Sequence, residues 1–134
     1  MKTKMFAAFV ALAALAVLAT GCVNTVTERK TAGVPFIKDT MEGRYERPLD
    51  QVFDAAKAVI SEDGVLLHEG IVHGQTNLVK TVEGNVNQRK VWVRVERLDP
   101  KITGVSVQAR TQAGGPDVDL AHAIEKEIAL KLVR

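Results

Sequence analysis

Apolar residues along this chain recur with two different periods, and the two occupy different stretches. Leu49, Val52, Phe53, Ala56, Val59 and Ile60 follow the i, i+3, i+4, i+7 spacing that lines one face of a helix. Asp50 and Asp54 fall near the positive end of that helix, and Gly64 is placed to stop it. Beyond Gly64 the period shortens to two: Val91, Val93 and Val95 alternate with Lys90, Trp92, Arg94 and Glu96, while Val105, Val107 and Ala109 alternate with Ser106, Gln108 and Arg110. Alternation of this kind belongs to strands with one dry face and one wet face. Leu120, Ala121, Ile124, Ile128 and Leu132 then return to helical spacing, with Asp117 or Asp119 as the cap.

Between these segments the turn-forming residues predict the remaining strands. A short strand over 41–47 ends at Pro48 with Tyr45 facing inward. Further strands are expected over 65–69, 73–82, 88–98 and 102–110, divided by turns at Gly70, at Glu83-Gly84-Asn85 and at Asp99-Pro100-Lys101. The order is β-α-β-β-β-β-α. It describes an α+β domain in which an antiparallel sheet of about five strands carries two helices on its valine face.

The N-terminal segment has no such periodicity. Lys2 and Lys4 precede an unbroken apolar run of 14 residues, Met5 to Leu18, and the small residues Ala19-Thr20-Gly21 lead into Cys22. A basic start, a short apolar stretch and a small-residue cleavage site are the parts of an export signal. The run is short of the roughly 20 apolar residues that span a bilayer. Leu18-Ala19-Thr20-Gly21-Cys22 resembles the lipobox of bacterial lipoproteins, in which the cysteine is acylated and becomes the first mature residue, although Ala19 stands where a leucine is more usual. The competing reading is ordinary signal cleavage at a small-x-small site, which leaves a free thiol. Val23 follows the cysteine where Asp would retain a lipoprotein of the enteric type, so the resemblance implies the outer membrane, facing the periplasm.

The chain thus divides into a cleaved signal over 1–21, a lipidated N-terminus and flexible tether over 22–39, and one domain over 40–134. The tether reading rests on Thr25, Thr27, Thr31, Gly33 and Pro35, with Val34-Pro35-Phe36-Ile37 as a stretch able to dock. This division changes the meaning of the composition. The whole chain has 134 residues, is 46% hydrophobic and carries 18 basic against 16 acidic side chains, but both surplus lysines leave with the signal. A charge-balanced domain does not attract a nucleic acid, and one cysteine builds no disulfide framework.

The whole arrangement resembles the small bacterial lipoproteins grouped as domain of unknown function 3568. The resemblance is carried by the lipobox, the tether, Tyr45-Glu46-Arg47-Pro48-Leu49-Asp50-Gln51-Val52-Phe53 entering a helix, Gly74-Gln75-Thr76, the charged meander and the last helix. It implies an α+β fold and anchoring in the envelope by lipid on Cys22. It implies no activity, catalytic residue or cofactor.

Residues with candidate chemistry are correspondingly few. Asp117, Asp119 and His122 form a D-x-D-x-x-H run that a divalent metal could use, but acids at a helix start more commonly cap its free N–H groups. His68 and His73, five apart, are expected on different strands. Gly104-Val105-Ser106-Val107-Gln108 approaches the G-x-S-x-G motif, yet that motif needs a serine on a strand-to-helix turn and Ser106 falls mid-strand. Gly114-Gly115-Pro116 is followed by acids that repel a phosphate. The favoured reading is a non-catalytic module that binds an envelope protein or polymer through the sheet face or its edges. Trp92, Arg94, Lys90 and Arg110 form the candidate interaction face, as aromatic and arginine side chains together favour interfaces. For Trp92 itself the more common arrangement is packing over its neighbours' aliphatic stems beneath the tether, since one aromatic makes a small patch. The alternative function is a small-ligand or metal-binding module built on Asp117, Asp119 and His122.

Overall fold

The structure, a computed structural model, describes residues 21–27, 30–33, 39–73 and 77–134. Five strands form one antiparallel sheet: β3 (Thr40–Tyr45), β4 (Gly64–His73), β5 (Leu78–Val86), β6 (Arg89–Asp99) and β7 (Ile102–Arg110), in the spatial order β3-β7-β6-β5-β4. Helix α1 (Leu49–Asp63) joins β3 to β4, and α2 (Val118–Leu132) follows β7. The α+β fold and the order β-α-β-β-β-β-α read from the sequence are the ones observed. Ahead of them lies a hairpin of β1 (Gly21–Asn24) and β2 (Lys30–Gly33), in which Cys22 is paired with Ala32. The segment expected as a tether therefore contains regular structure. Residues 1–20, which hold nearly all of the segment read as an export signal, lie outside the described residues, as do Val34-Pro35-Phe36-Ile37 and Gly74-Gln75-Thr76.

The two periods of the sequence meet in a single core. Val82, Val93 and Val107 stand opposite one another across three strands, as do Gly84, Val91 and Ala109. Against this face α1 buries Leu49, Val52, Phe53, Ala56, Val59 and Ile60, and α2 buries Ala121, Ile124, Ile128 and Leu132. Each fully buried aliphatic side chain contributes about 1.5–3 kcal/mol relative to exposure, so this shared core is the main source of stability. Pro48, the N-cap of helix α1, has no side-chain acceptor for a free N–H, and its backbone carbonyl accepts from the N–H of Val52 at 3.2 Å. Asp50 in the first turn accepts from Lys80 at 2.6 Å, and that ammonium holds the carboxyl below its ordinary value. The same ammonium lies 4.9 Å from the centroid of the Phe53 ring.

Two of the expected turns are in fact strand interior. Gly84 lies inside β5 because α1 passes directly over it: a Cβ there would be 2.4 Å from Cγ2 of Ile60. The reversal comes later, at Asn87 and Gln88, whose φ values of 49° and 63° make the two-residue hairpin joining Val86 to Arg89. Gly70 likewise lies inside β4, opposite Thr81, where a Cβ would approach the Thr81 hydroxyl to 2.6 Å. Glycine reads as punctuation in a sequence, but here the helix and the neighbouring strand demand the missing side chain. The turn at Pro100-Lys101 falls where expected, with Asp99 paired to Ile102.

Candidate functional site

Residues at the two ends of the sheet and on its outer face were the ones singled out for function. Asp117 is the N-cap of α2: one carboxylate oxygen accepts from the N–H of Leu120 at 3.1 Å and the other from Nε of Arg89 at 2.8 Å. Those bonds, the Leu120 N–H foremost, lower its pKa. Asp119 and His122 point to solvent. Among the described residues no three His, Cys, Asp or Glu side chains come together as a metal-binding group, so the D-x-D-x-x-H run is not assembled into one. His68 and His73 are both exposed on β4, contrary to their expected separation into two strands, and they face opposite sides of the sheet.

The outer face of the sheet is not the open surface that alternation suggests. Trp92 is only 6% exposed, Arg110 4% and Gln108 2%; Lys90 is exposed and Arg94 half-buried beside Glu96. A solvent-facing tryptophan ringed by arginines is not what is observed; of the two readings of Trp92, the packed one matches its burial. Glu83 and Gln108 are the cross-strand neighbours of Trp92, and each bonds to the turn of the N-terminal hairpin. The hydroxyl of Thr27 donates to Glu83 at 2.9 Å, and Oε1 of Gln108 accepts from the N–H of Val26 at 3.1 Å. The hairpin turn therefore bridges the position of Trp92. Beside it, Asp39 takes a hydrogen bond from Nε2 of Gln108 at 2.7 Å and forms a buried ion pair with Arg110. A second arginine nitrogen donates to the Gly114 carbonyl at 3.2 Å, while Nε has no partner among the described residues. Sequence reasoning named Trp92 and Arg110 correctly as members of one face and missed Asp39, which neutralises the charge.

Farther along the same face a shallow hollow of about 390 Å³ is lined by Glu42, Arg44, Glu96, Leu98, Gly104 and Ser106 among others. Both signs of charge line it, and no histidine does. Ser106 stands mid-strand there, opposite Glu42 and Arg94, rather than on a projecting turn.

The most distinctive surface lies at one edge of the sheet. Among the described residues β4 has a partner on one side only, and it exposes Val65 (59%), Leu67 (58%), Ile71 (56%) and Val72 (48%). A bulge at Leu67, between Leu66 and His68, throws that side chain out of the ladder. Edge strands are ordinarily blunted by lysine, proline, a bulge or inward charge. β4 has the bulge and one inward charge, Glu69, bound to Lys57 at 3.0 Å, but no lysine, arginine or proline, and beyond the bulge its ladder is regular. The opposite edge, β3, presents Glu42 and Arg44 to solvent instead. The sequence signal was there in Val-Leu-Leu and Ile-Val, apolar neighbours that cannot all face one side of a sheet. Which strand forms the edge could not be read from it.

These features define a small α+β protein whose polar clusters serve its own packing and whose edge strand is left apolar and open. The chain belongs to the family described as Protein of unknown function (DUF3568), whose model matches residues 4–130. No curated protein matches it. Among solved structures it is similar to the di-domain aromatase/cyclase StfQ from the steffimycin biosynthetic pathway, at 13% identity and a TM-score of 0.33, covering 69% of this chain and 43% of that one. It is also similar to the Zhui aromatase/cyclase from Streptomyces sp. R1128, at 13% identity and a TM-score of 0.25, covering 70% of this chain and 84% of that one. The chain spans less than half the length of StfQ, and likenesses this distant carry nothing about activity.

Proposed function

We propose that this protein is a non-catalytic lipoprotein of the bacterial envelope, held in the membrane by lipid on Cys22 and binding a protein partner through the β4 edge. The anchor is supported by the sequence: a basic start, 14 apolar residues and Leu18-Ala19-Thr20-Gly21-Cys22. Val23 after the cysteine favours the outer membrane, with the domain in the periplasm. The binding reading is carried by one observation, the four exposed apolar side chains on the unpaired edge of β4. Strand addition at such an edge supplies backbone hydrogen bonds, with side-chain contacts giving selectivity.

Fractionation of cells making the wild-type chain or Cys22→Ser tests the anchor: the wild type goes to the outer membrane and the variant is released, and a variant that stays membrane-bound refutes it. A photo-reactive residue at Leu67, irradiated in the intact envelope, tests the edge. An adduct at Leu67 that is missing from the same probe placed at Glu42 supports binding there; equal labelling at both removes the edge as the site.

A further inference from the structure

We infer that the partner of the β4 edge is a second copy of the same chain, paired antiparallel about a twofold axis through Ile71. This rests on the reading of β4 as the binding edge. Two copies of one strand can extend a sheet antiparallel only about an axis perpendicular to it, which keeps the helix-covered faces together and makes residues on one face meet residues on that face. The axis must therefore pass at a residue position, and few positions are available. Among the described residues, the bulge at Leu67 leaves His68–His73 as the regular part of the edge.

Centring on Glu69 sets two carboxylates against each other, which is destabilising. Centring on Gly70 sets Ile71 against Glu69, and centring on Val72 sets Ile71 against His73, each facing the apolar side chain with a polar one. Centring on Ile71 sets Ile71 against Ile71, Val72 against the open space over Gly70, and Glu69 against His73 on both sides of the axis. In that register every side chain on the helix side has an apolar or hydrogen-bonding match, since the imidazole N–H of His73 can donate to the Glu69 carboxylate. The geometry also suits anchoring. The N-terminal hairpin seats its turn on the outer face, through Glu83 and Gln108, and a perpendicular twofold leaves both outer faces, and both hairpins, on the same side of the dimer. Two chains so paired can insert lipid into one membrane.

Disulfide trapping tests this in the full-length chain. Residues directly opposite in an antiparallel pair have Cα atoms roughly 4.5–5.5 Å apart, within the span a disulfide bridges. Ile71→Cys should therefore yield an oxidised dimer in the envelope. Val65→Cys should not, because its two copies would lie about 40 Å apart along the strands. Glu69→Cys and His73→Cys should each stay monomeric alone and form the mixed disulfide when made together. All four positions are exposed, so the substitutions leave the core intact. Comparable trapping at Val65 and Ile71, or none at Ile71, overturns the proposal. If the unsubstituted chain itself gives a disulfide dimer, Cys22 is a free thiol and the anchor reading fails; the same trapping in a Cys22→Ser background at high protein concentration then decides the edge alone. A Leu67 adduct to a different protein, with no trapping at Ile71, leaves the edge as a binding site and removes the second copy as its occupant.

Discussion

Asp39 and Gln108 are 69 positions apart, and the carboxylate of the first accepts from the side-chain amide of the second at 2.7 Å, in the same buried cluster as Arg110. A guanidinium that is 4% exposed is tolerable only because this carboxylate neutralises it. Asp39→Ala removes the counter-charge and leaves Arg110 buried, at an expected cost of about 3–5 kcal/mol. Urea unfolding should show that loss, and Asp39→Ala combined with Arg110→Met should recover most of it. A loss below about 1 kcal/mol for the single variant would mean the arginine reaches water when its partner is gone.

Trp92, the only tryptophan in the chain, makes the outer face directly observable. Its emission should be blue-shifted and poorly quenched by acrylamide, as befits a side chain 6% exposed. Thr27→Ala removes the bond to Glu83 and loosens the hairpin turn above it, so quenching should rise while the core stays folded. Trp92→Ala should cost about 3–5 kcal/mol as a large-to-small substitution in a packed site. An indole quenched as freely as the amino acid in water would show that the hairpin does not cover it.

Gly84 marks where α1 presses on β5. Alanine there brings a Cβ to 2.4 Å from Ile60 and 2.7 Å from the Val65 carbonyl oxygen, so Gly84→Ala should lower stability by about 1–3 kcal/mol. Ile60→Val in the same chain removes one methyl group and should lessen the penalty, whereas alone it costs about 0.5–1.5 kcal/mol. Thermal melts of the two single variants and the double variant measure the coupling. Strict additivity would place the strain elsewhere.

The hydroxyl of Tyr45 donates to the carboxylate of Glu125 on α2. Burial raises the phenol pKa, and the Glu125 bond and charge raise it further. A group whose pKa is raised on folding contributes stability that is complete below its unfolded value, here 10.0, and lost as the pH climbs from there toward the folded value. Tyr45 is the only tyrosine, so phenolate absorbance reports on it alone. The native protein should show no ionisation around pH 10, with absorbance appearing only as alkali unfolds the chain, and Glu125→Gln should move the titration down. An ordinary titration in the folded state would break the assignment.

The places where reading and structure part are specific. Both helices, the alternating strands β6 and β7, and the cap at Asp117 were legible because each depends on neighbours within a few positions. Gly70 and Gly84 were read as turns because a glycine's local signal is the same whether it bends the chain or lets another element pass close. Alternation places Trp92 and Arg110 on the second face but does not say whether a distant segment covers it, so an exposed and a packed Trp92 are equally compatible with the local pattern. Val26, Thr27 and Asp39 supply that cover, and nothing in their own surroundings marks them for it.

By itself the sequence determined the fold class, the strand and helix order, the identity of the core face and the membership in a family, because periodicity and apolar spacing are local and repeat. Only the tertiary structure decided the strand order, which leaves β4 at an edge with Val65, Leu67, Ile71 and Val72 uncovered. It also decided that the polar face is half closed by the N-terminal hairpin. Both depend on which residues far apart in the chain lie side by side, and that is set by the free energy of the whole packed core rather than by any one segment.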